Sequence, residues 1–109
     1  MDEKIISACP VETTLRLMEN KWRVLIIYTL LNGRKRFGEL RKSIGNISQR
    51  SLTMNLRFME EHQLVIRKVY AEVPPRVEYC LTLTGESLRP VIQVMKDWGE
   101  GYKKKYGGE

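Results

Sequence analysis

Arg34-Lys35-Arg36-Phe37-Gly38-Glu39-Leu40-Arg41-Lys42-Ser43-Ile44-Gly45-Asn46-Ile47-Ser48-Gln49-Arg50-Ser51-Leu52-Thr53-Met54-Asn55-Leu56-Arg57 is the stretch on which the reading of this chain turns. Phe37, Leu40 and Ile44 stand at i, i+3 and i+7, the spacing of one helical face, with Arg41 and Lys42 on the other side. Gly45-Asn46 is a turn pair, and Ser48 is a good N-cap for a second helix that carries Leu52, Leu56 and Met59 inward. At about 100° per residue, the opposite face of that helix holds Arg50, Thr53, Met54, Arg57 and Glu61. A short helix, a tight turn and a second helix with an arginine-bearing outer face are the parts of a helix-turn-helix, here placed over about 37–62. The stretch holds seven basic residues against the single acid Glu39, which equals the whole formal net charge of +6. The remaining basic and acidic side chains cancel, so the imbalance is assigned to one surface, and a local cationic face attracts a polyanion such as nucleic acid.

Outside this stretch the composition is that of an ordinary globular domain. The 109 residues, 42% hydrophobic and 29% charged, predict one domain over 1–109 with a real core. The longest apolar run, Val24 to Leu31, is far short of the roughly 20 residues that span a bilayer. The N-terminus, Met-Asp-Glu-Lys, opens no apolar leader, so the expected location is cytoplasmic with no membrane partner. Cys9 and Cys80 are too far apart in sequence for a CxxC pair, and His62 has no i+4 ligand partner, so neither a metal nor a cofactor is expected. One histidine, the aspartates Asp2 and Asp97 and no glycine-rich phosphate loop make a poor supply for catalysis, and the chain reads as a non-enzyme.

The flanking segments complete the architecture. Pro10 suits the first position of a helix in which Val11, Leu15, Met18 and Trp22 form a stripe read as core. A break near Asn20-Lys21 restarts the chain as a helix, Trp22 to Leu31, that is apolar on nearly every side and ends at Asn32-Gly33. After Gln63 the period becomes two: Val77, Tyr79, Leu81 and Leu83 share one strand face, and Leu64 to Tyr70 supplies a partner strand. Between them, Pro74 and Pro75 stiffen a loop, making a wing over about 64–83. A last helix is predicted over about 84–105, kinked at Pro90, with Leu88, Val91, Ile92, Met95, Trp98 and Tyr102 as its stripe. That stripe is too long for a small core and predicts pairing with a second copy of the chain, the first helix joining it. The fold class is thus mainly α with a small β-hairpin, a winged helix-turn-helix with N- and C-terminal dimerisation helices.

In such a fold the second helix enters the major groove. Arg50 and Arg57 are assigned to base edges or neighbouring phosphates, and Thr53 to a thymine methyl or a phosphate. Ser48 and Gln49 donate to phosphate at the helix N-terminus, Arg36, Arg41 and Lys42 anchor the backbone, and Arg76 reaches the minor groove or its rim from the wing. Cys9, as the N-cap before Pro10, feels the positive end of a helix dipole, while Glu12 acts in the opposite direction, so the sign of its shift stays open. The rival reading is a winged-helix module that meets an acidic protein and has no DNA sequence preference.

Cys9-Pro10, Lys21-Trp22, Arg36-Phe37-Gly38-Glu39-Leu40, Ile47-Ser48 with Leu52-Thr53, Leu56-Arg57, Glu60-Glu61, Val73-Pro74-Pro75-Arg76-Val77-Glu78-Tyr79, Leu81-Thr82 and Gly85 together resemble the HxlR-type winged helix-turn-helix transcriptional regulators. The resemblance runs from Cys9 to Trp98-Gly99. It implies a bacterial or archaeal homodimer on double-stranded operator DNA, a pseudo-palindrome read by two helices roughly 34 Å apart. Some members sense oxidants or electrophiles through a cysteine before the first helix, which corresponds to Cys9; a small-molecule effector is the other form of signal. Asn20 departs from the glycine frequent there, and the motif does not support pairing of Cys9 with Cys80.

Overall fold

The computed structural model describes residues 5–108; Met1 to Lys4, read above for a leader, and Glu109 lie outside them. Among the described residues six helices and three strands follow in the order α1 (Pro10–Leu17), α2 (Lys21–Leu30), β1 (Lys35–Arg36), α3 (Phe37–Ile44), α4 (Gln49–Glu61), β2 (Val65–Tyr70), β3 (Arg76–Leu81), α5 (Leu83–Glu86) and α6 (Arg89–Tyr106). The sheet is antiparallel in the order β1-β3-β2, and with α3 and α4 it forms a winged helix-turn-helix. No helix among the described residues is long and apolar enough to cross a membrane.

The core gathers around α2. Ile26, Ile27 and Leu30 pack with Leu40 of α3, Ile47 of the turn, Leu52, Leu56 and Met59 of α4, Leu64, Val65, Tyr79 and Ile92. Side-chain caps set the helix starts: Asn20 accepts from the Arg23 amide at α2, and Ser48 from the Ser51 amide at α4. Glu39, the single acid of the basic stretch, has a structural duty, since its carboxylate accepts from the Arg36 amide at the start of α3. Gly45 ends α3 at φ 97°, which a residue without a Cβ adopts freely.

The passage from α4 to the wing is fastened residue by residue. His62 closes α4, buried and packed at a tilt of 41° against Phe58 with ring centroids 4.2 Å apart. Gln63 takes the left-handed conformation at φ 66°, and Leu64 N donates back to Met59 O while Gln63 N donates to Glu60 O. This pair of bonds is a Schellman ending. Thr82 Oγ1 then donates to Gln63 O at 2.6 Å and accepts from Gly85 N at 2.9 Å, which pins α5 against the end of α4. Gly85 is buried, and a Cβ there would collide with the Leu64 carbonyl oxygen and stand 3.1 Å from Leu81 Cδ2. Gly85→Ala should therefore destabilise the fold by about 3 kcal/mol through overpacking against rigid backbone. Thermal unfolding checks it, and an unchanged midpoint would refute the close approach.

Three sequence-based expectations are corrected. Val11 and Leu15, read as core, are 68% and 62% exposed, because only the C-terminal end of α1, at Met18, reaches the core. Leu83 is no strand residue: β3 stops at Leu81, and Leu83 opens α5 at 92% exposure. The last helix, expected to run unbroken over about 84–105 with a kink at Pro90, is two helices, α5 and α6. Pro90 is the second residue of α6 and kinks nothing, since that helix begins where its missing N–H needs no partner. The hairpin itself stands as expected, β2 pairing with β3, and a third strand, β1, lies beside it, pairing Lys35 with Tyr79 and Arg36 with Glu78.

The far half of α6 leaves the body. Its 18 residues extend about 27 Å, and the radius of gyration, 15.3 Å, exceeds the roughly 13 Å of a compact chain of this length.

Candidate nucleic-acid interface

The cationic surface is built on α4. Leu52, Leu56 and Met59 are sunk in the core, which turns Arg50, Met54 and Arg57 outward. Gln49, Arg50, Thr53, Met54 and Arg57 together line an open depression along the helix. The Thr53 hydroxyl donates to Gln49 O at 2.9 Å, so towards a ligand it has only acceptor capacity left. Ser48 Oγ is occupied as the cap of the Ser51 amide. Arg36 and Lys42 are exposed on and beside α3. Arg41 is exposed as well, but its Nε donates to Ile47 O at 3.1 Å and fastens the turn between the two motif helices.

Arg76 is not part of this free set. Its Nη2 lies 3.2 Å from Glu72 and its Nε 3.7 Å from Glu78, and its guanidinium carbon stands 4.1 Å over the Tyr70 ring. Arg34, counted in the basic stretch, turns the same way: Nη1 donates to Tyr70 Oη at 2.9 Å and lies 3.6 Å from Glu78. Glu78, on the central strand, is registered opposite Arg36 on one side and Lys68 on the other. This acid organises the root of the wing and locally offsets the charge that sequence counting gave to a single uninterrupted face.

Two cations were missed. Arg67 and Lys68 of β2 are exposed, and Arg67 lines a cleft with Thr53, Arg57, Glu60 and Tyr79 between α4 and the sheet. Their signal was a basic pair directly after a helix-turn-helix, obscured because the segment read only as a partner strand. The cationic surface thus continues from α4 onto the wing.

Cys9 occupies the N-cap position of α1 with extended backbone and an exposed side chain that makes no capping bond. Its amide donates to Ser7 Oγ at 3.2 Å, and Ser7 Oγ donates to Glu12, which also pairs with Arg16 at 2.8 Å. Cys80 is half-buried on β3, and both cysteines are free.

A family model described as HxlR-like helix-turn-helix matches residues 17–106, the span holding the motif, the wing and α6. The chain belongs to the HxlR-like family. YdeP of Bacillus subtilis (strain 168), described as an HTH-type transcriptional regulator, is 52% identical over 97 residues, 89% of this chain and 76% of that protein. An HTH-type transcriptional regulator of Methanothermobacter thermautotrophicus is 45% identical over 94 residues, covering 86% of this chain and 72% of that one. Among solved structures, the redox regulator HypR in its reduced form is similar at a TM-score of 0.86 and 42% identity, covering 93% of this chain and 100% of that one. The reduced form of the transcriptional regulator YodB from B. subtilis follows at 0.78 and 36%, covering 94% and 100%. This HxlR-like chain is a DNA-binding transcriptional regulator, its family being one of regulators. Cys9 lies before the first residue that the family model matches.

Proposed function

We infer that the protein acts in the cytoplasm as a one-domain subunit of a homodimer, binds a pseudo-palindromic operator through α4 and the wing, and changes its affinity when Cys9 is oxidised or alkylated. The observation that carries the DNA-facing part is the outward, unobstructed row of Arg50, Thr53 and Arg57 on a helix whose other side is core. Arg50 and Arg57 read guanines or adjacent phosphates, since a guanidinium pairs with O6 and N7 together. Thr53 offers its methyl to thymine, while Gln49 and the amides beside Ser48 meet phosphate. Arg36, Arg41 and Lys42 anchor the backbone. Arg76, tied to Glu72 and Glu78, contributes by shaping the wing. Arg67 takes the phosphate at the groove rim; Arg67→Ala should reduce the slope of log K against log salt by about 1. An unchanged slope would remove Arg67 from the interface.

The dimer rests on α6. Val91, Val94, Met95, Trp98, Tyr102 and Tyr106 form an exposed stripe, with Trp98 stacked on Tyr102 and Tyr102 packed on Tyr106. Val11 and Leu15 of α1 and Ile6 add further exposed apolar surface. An apolar face of this length on a monomer marks an association surface, and a twofold pairing satisfies it with one self-complementary patch.

The redox part rests on the exposed thiol at the start of α1, together with the similarity to HypR and YodB, described as a redox regulator and a transcriptional regulator in reduced form. The test is a footprint of the purified protein before and after diamide or quinone treatment, with mass spectrometry of Cys9. Two protected half-sites, their centres about ten base pairs apart, and an affinity that shifts only in protein modified at Cys9 are expected. Modified Cys9 with unaltered affinity would end the redox assignment, and a single protected half-site would end the dimer.

A further inference from the structure

The apolar side of α4 fixes which face of the helix turns outward, and bonds on its flank hold that orientation more finely. Contacts among Leu52, Leu56, Met59 and their neighbours are non-directional, whereas the direction in which Arg50 and Arg57 project follows the rotation of the helix. Directional bonds are therefore informative, and one set of them lies on the flank of α4. At about 100° per residue, Asn55 and Phe58 fall between the core stripe and the outward face. Asn55 Oδ1 accepts from Asn20 Nδ2 at 3.1 Å and from Arg23 Nε at 3.3 Å, while its Nδ2 donates to Ser51 O at 2.8 Å. The guanidinium carbon of Arg23 stands 3.6 Å from the centre of the Phe58 ring. Its Nη1 donates to Arg16 O at 3.0 Å and Leu17 O at 3.3 Å, the last carbonyls of α1, where a cation also meets the negative end of the helix dipole. Burial lowers the pKa of Arg23, with Glu19 acting to raise it.

We propose that Arg23 is a positioning residue for DNA recognition: with Asn20 and Asn55 it sets the rotation of α4 against α2 and ties that rotation to the C-terminal end of α1. One side chain of α2 thus contacts both α1 and α4, and no apolar residue of the core could replace it, because the same plane that stacks on Phe58 must aim Nε at Asn55 and Nη1 at α1. A displacement of α1 is transmitted to the reading helix through this joint, and a reading helix turned by a small angle keeps its phosphate contacts while losing aligned base contacts. The inference rests on DNA binding through α4.

The experiment compares wild-type protein with Arg23→Gln, Arg23→Lys and Asn55→Ala. Binding is measured on a duplex selected from a random pool by the wild-type protein and on a shuffled duplex of equal length, over a range of salt, with circular dichroism to establish folding. Expected is a fall of roughly tenfold in the selected-to-shuffled affinity ratio, the size of one misaligned base contact, with an unchanged salt slope because every phosphate-facing cation remains. Lysine should not rescue, lacking the planar fork. Folded variants that keep the wild-type ratio, or that lose affinity equally on both duplexes, would overturn the proposal. Asn55→Ala keeps the test open if removal of Arg23 prevents folding. A wild-type protein with no preference for any duplex would instead sink the DNA reading on which the inference stands.

Discussion

With Arg50 and Arg57 both replaced by alanine, affinity for the operator falls by about a hundredfold or more. Each guanidinium engaged with a guanine edge contributes roughly 1 to 3 kcal/mol, and the two positions, two turns apart, project from the same side of α4. The fold survives the change, because both side chains are exposed and alanine favours helix. Loss should fall mainly on the operator and less on random duplex, which separates base reading from simple loss of charge; Lys42→Ala, by contrast, should weaken both duplexes equally. Fluorescence anisotropy on the two duplexes reads the difference. Isotherms of the double variant within twofold of wild type would remove α4 from base recognition.

Trp98→Glu combined with Tyr102→Glu should yield a monomer whose operator affinity drops by about 10²- to 10⁴-fold, since linked half-site binding is what raises avidity. Both side chains are more than half exposed, at 70% and 53%, so a folded monomer tolerates the acids, while a paired surface does not. Introduced carboxylates would be desolvated without partners in an α6 pairing, and the cost of an unpaired buried charge greatly exceeds that of a lost apolar contact. Multi-angle light scattering over a concentration series gives the mass, and binding to a single half-site gives the control, which should change little. A double variant that remains dimeric, or a wild-type chain that is monomeric throughout, contradicts the role given to α6.

What was legible in the sequence was what periodicity and caps specify. Leu52, Leu56 and Met59 declare the inner face of α4 without tertiary information, and the outward position of Arg50 and Arg57 follows as the geometrical complement. Ser48 caps the helix that its side chain suggested, whereas Asn20, read only as part of a break, proves to be the cap of α2. What was not legible depends on partners distant in sequence. β1 is two residues long, too short for alternation, and exists because β3 offers Tyr79 and Glu78 as an edge. Arg34 and Arg76 read as free cations until the fold brought Glu72, Glu78 and Tyr70 beside them. Arg23, within an otherwise apolar helix, gave no local sign that Asn55, 32 positions away, would receive its Nε–H. Val11 and Leu15 show the converse limit: a stripe records that a face is to be covered, and leaves unsaid whether its own core or another chain covers it.

The most direct measurement is equilibrium binding of the purified wild-type protein to a duplex selected from a random pool and to its shuffled counterpart, each across 50 to 200 mM salt. A face built from Arg36, Lys42, Arg50, Arg57 and Arg67 predicts log K falling linearly with log salt on both duplexes, and a preference for the selected duplex of about 10³ or greater. Equal affinity for the two duplexes at every salt concentration would contradict sequence reading by α4 and leave only a surface that holds polyanions without distinction.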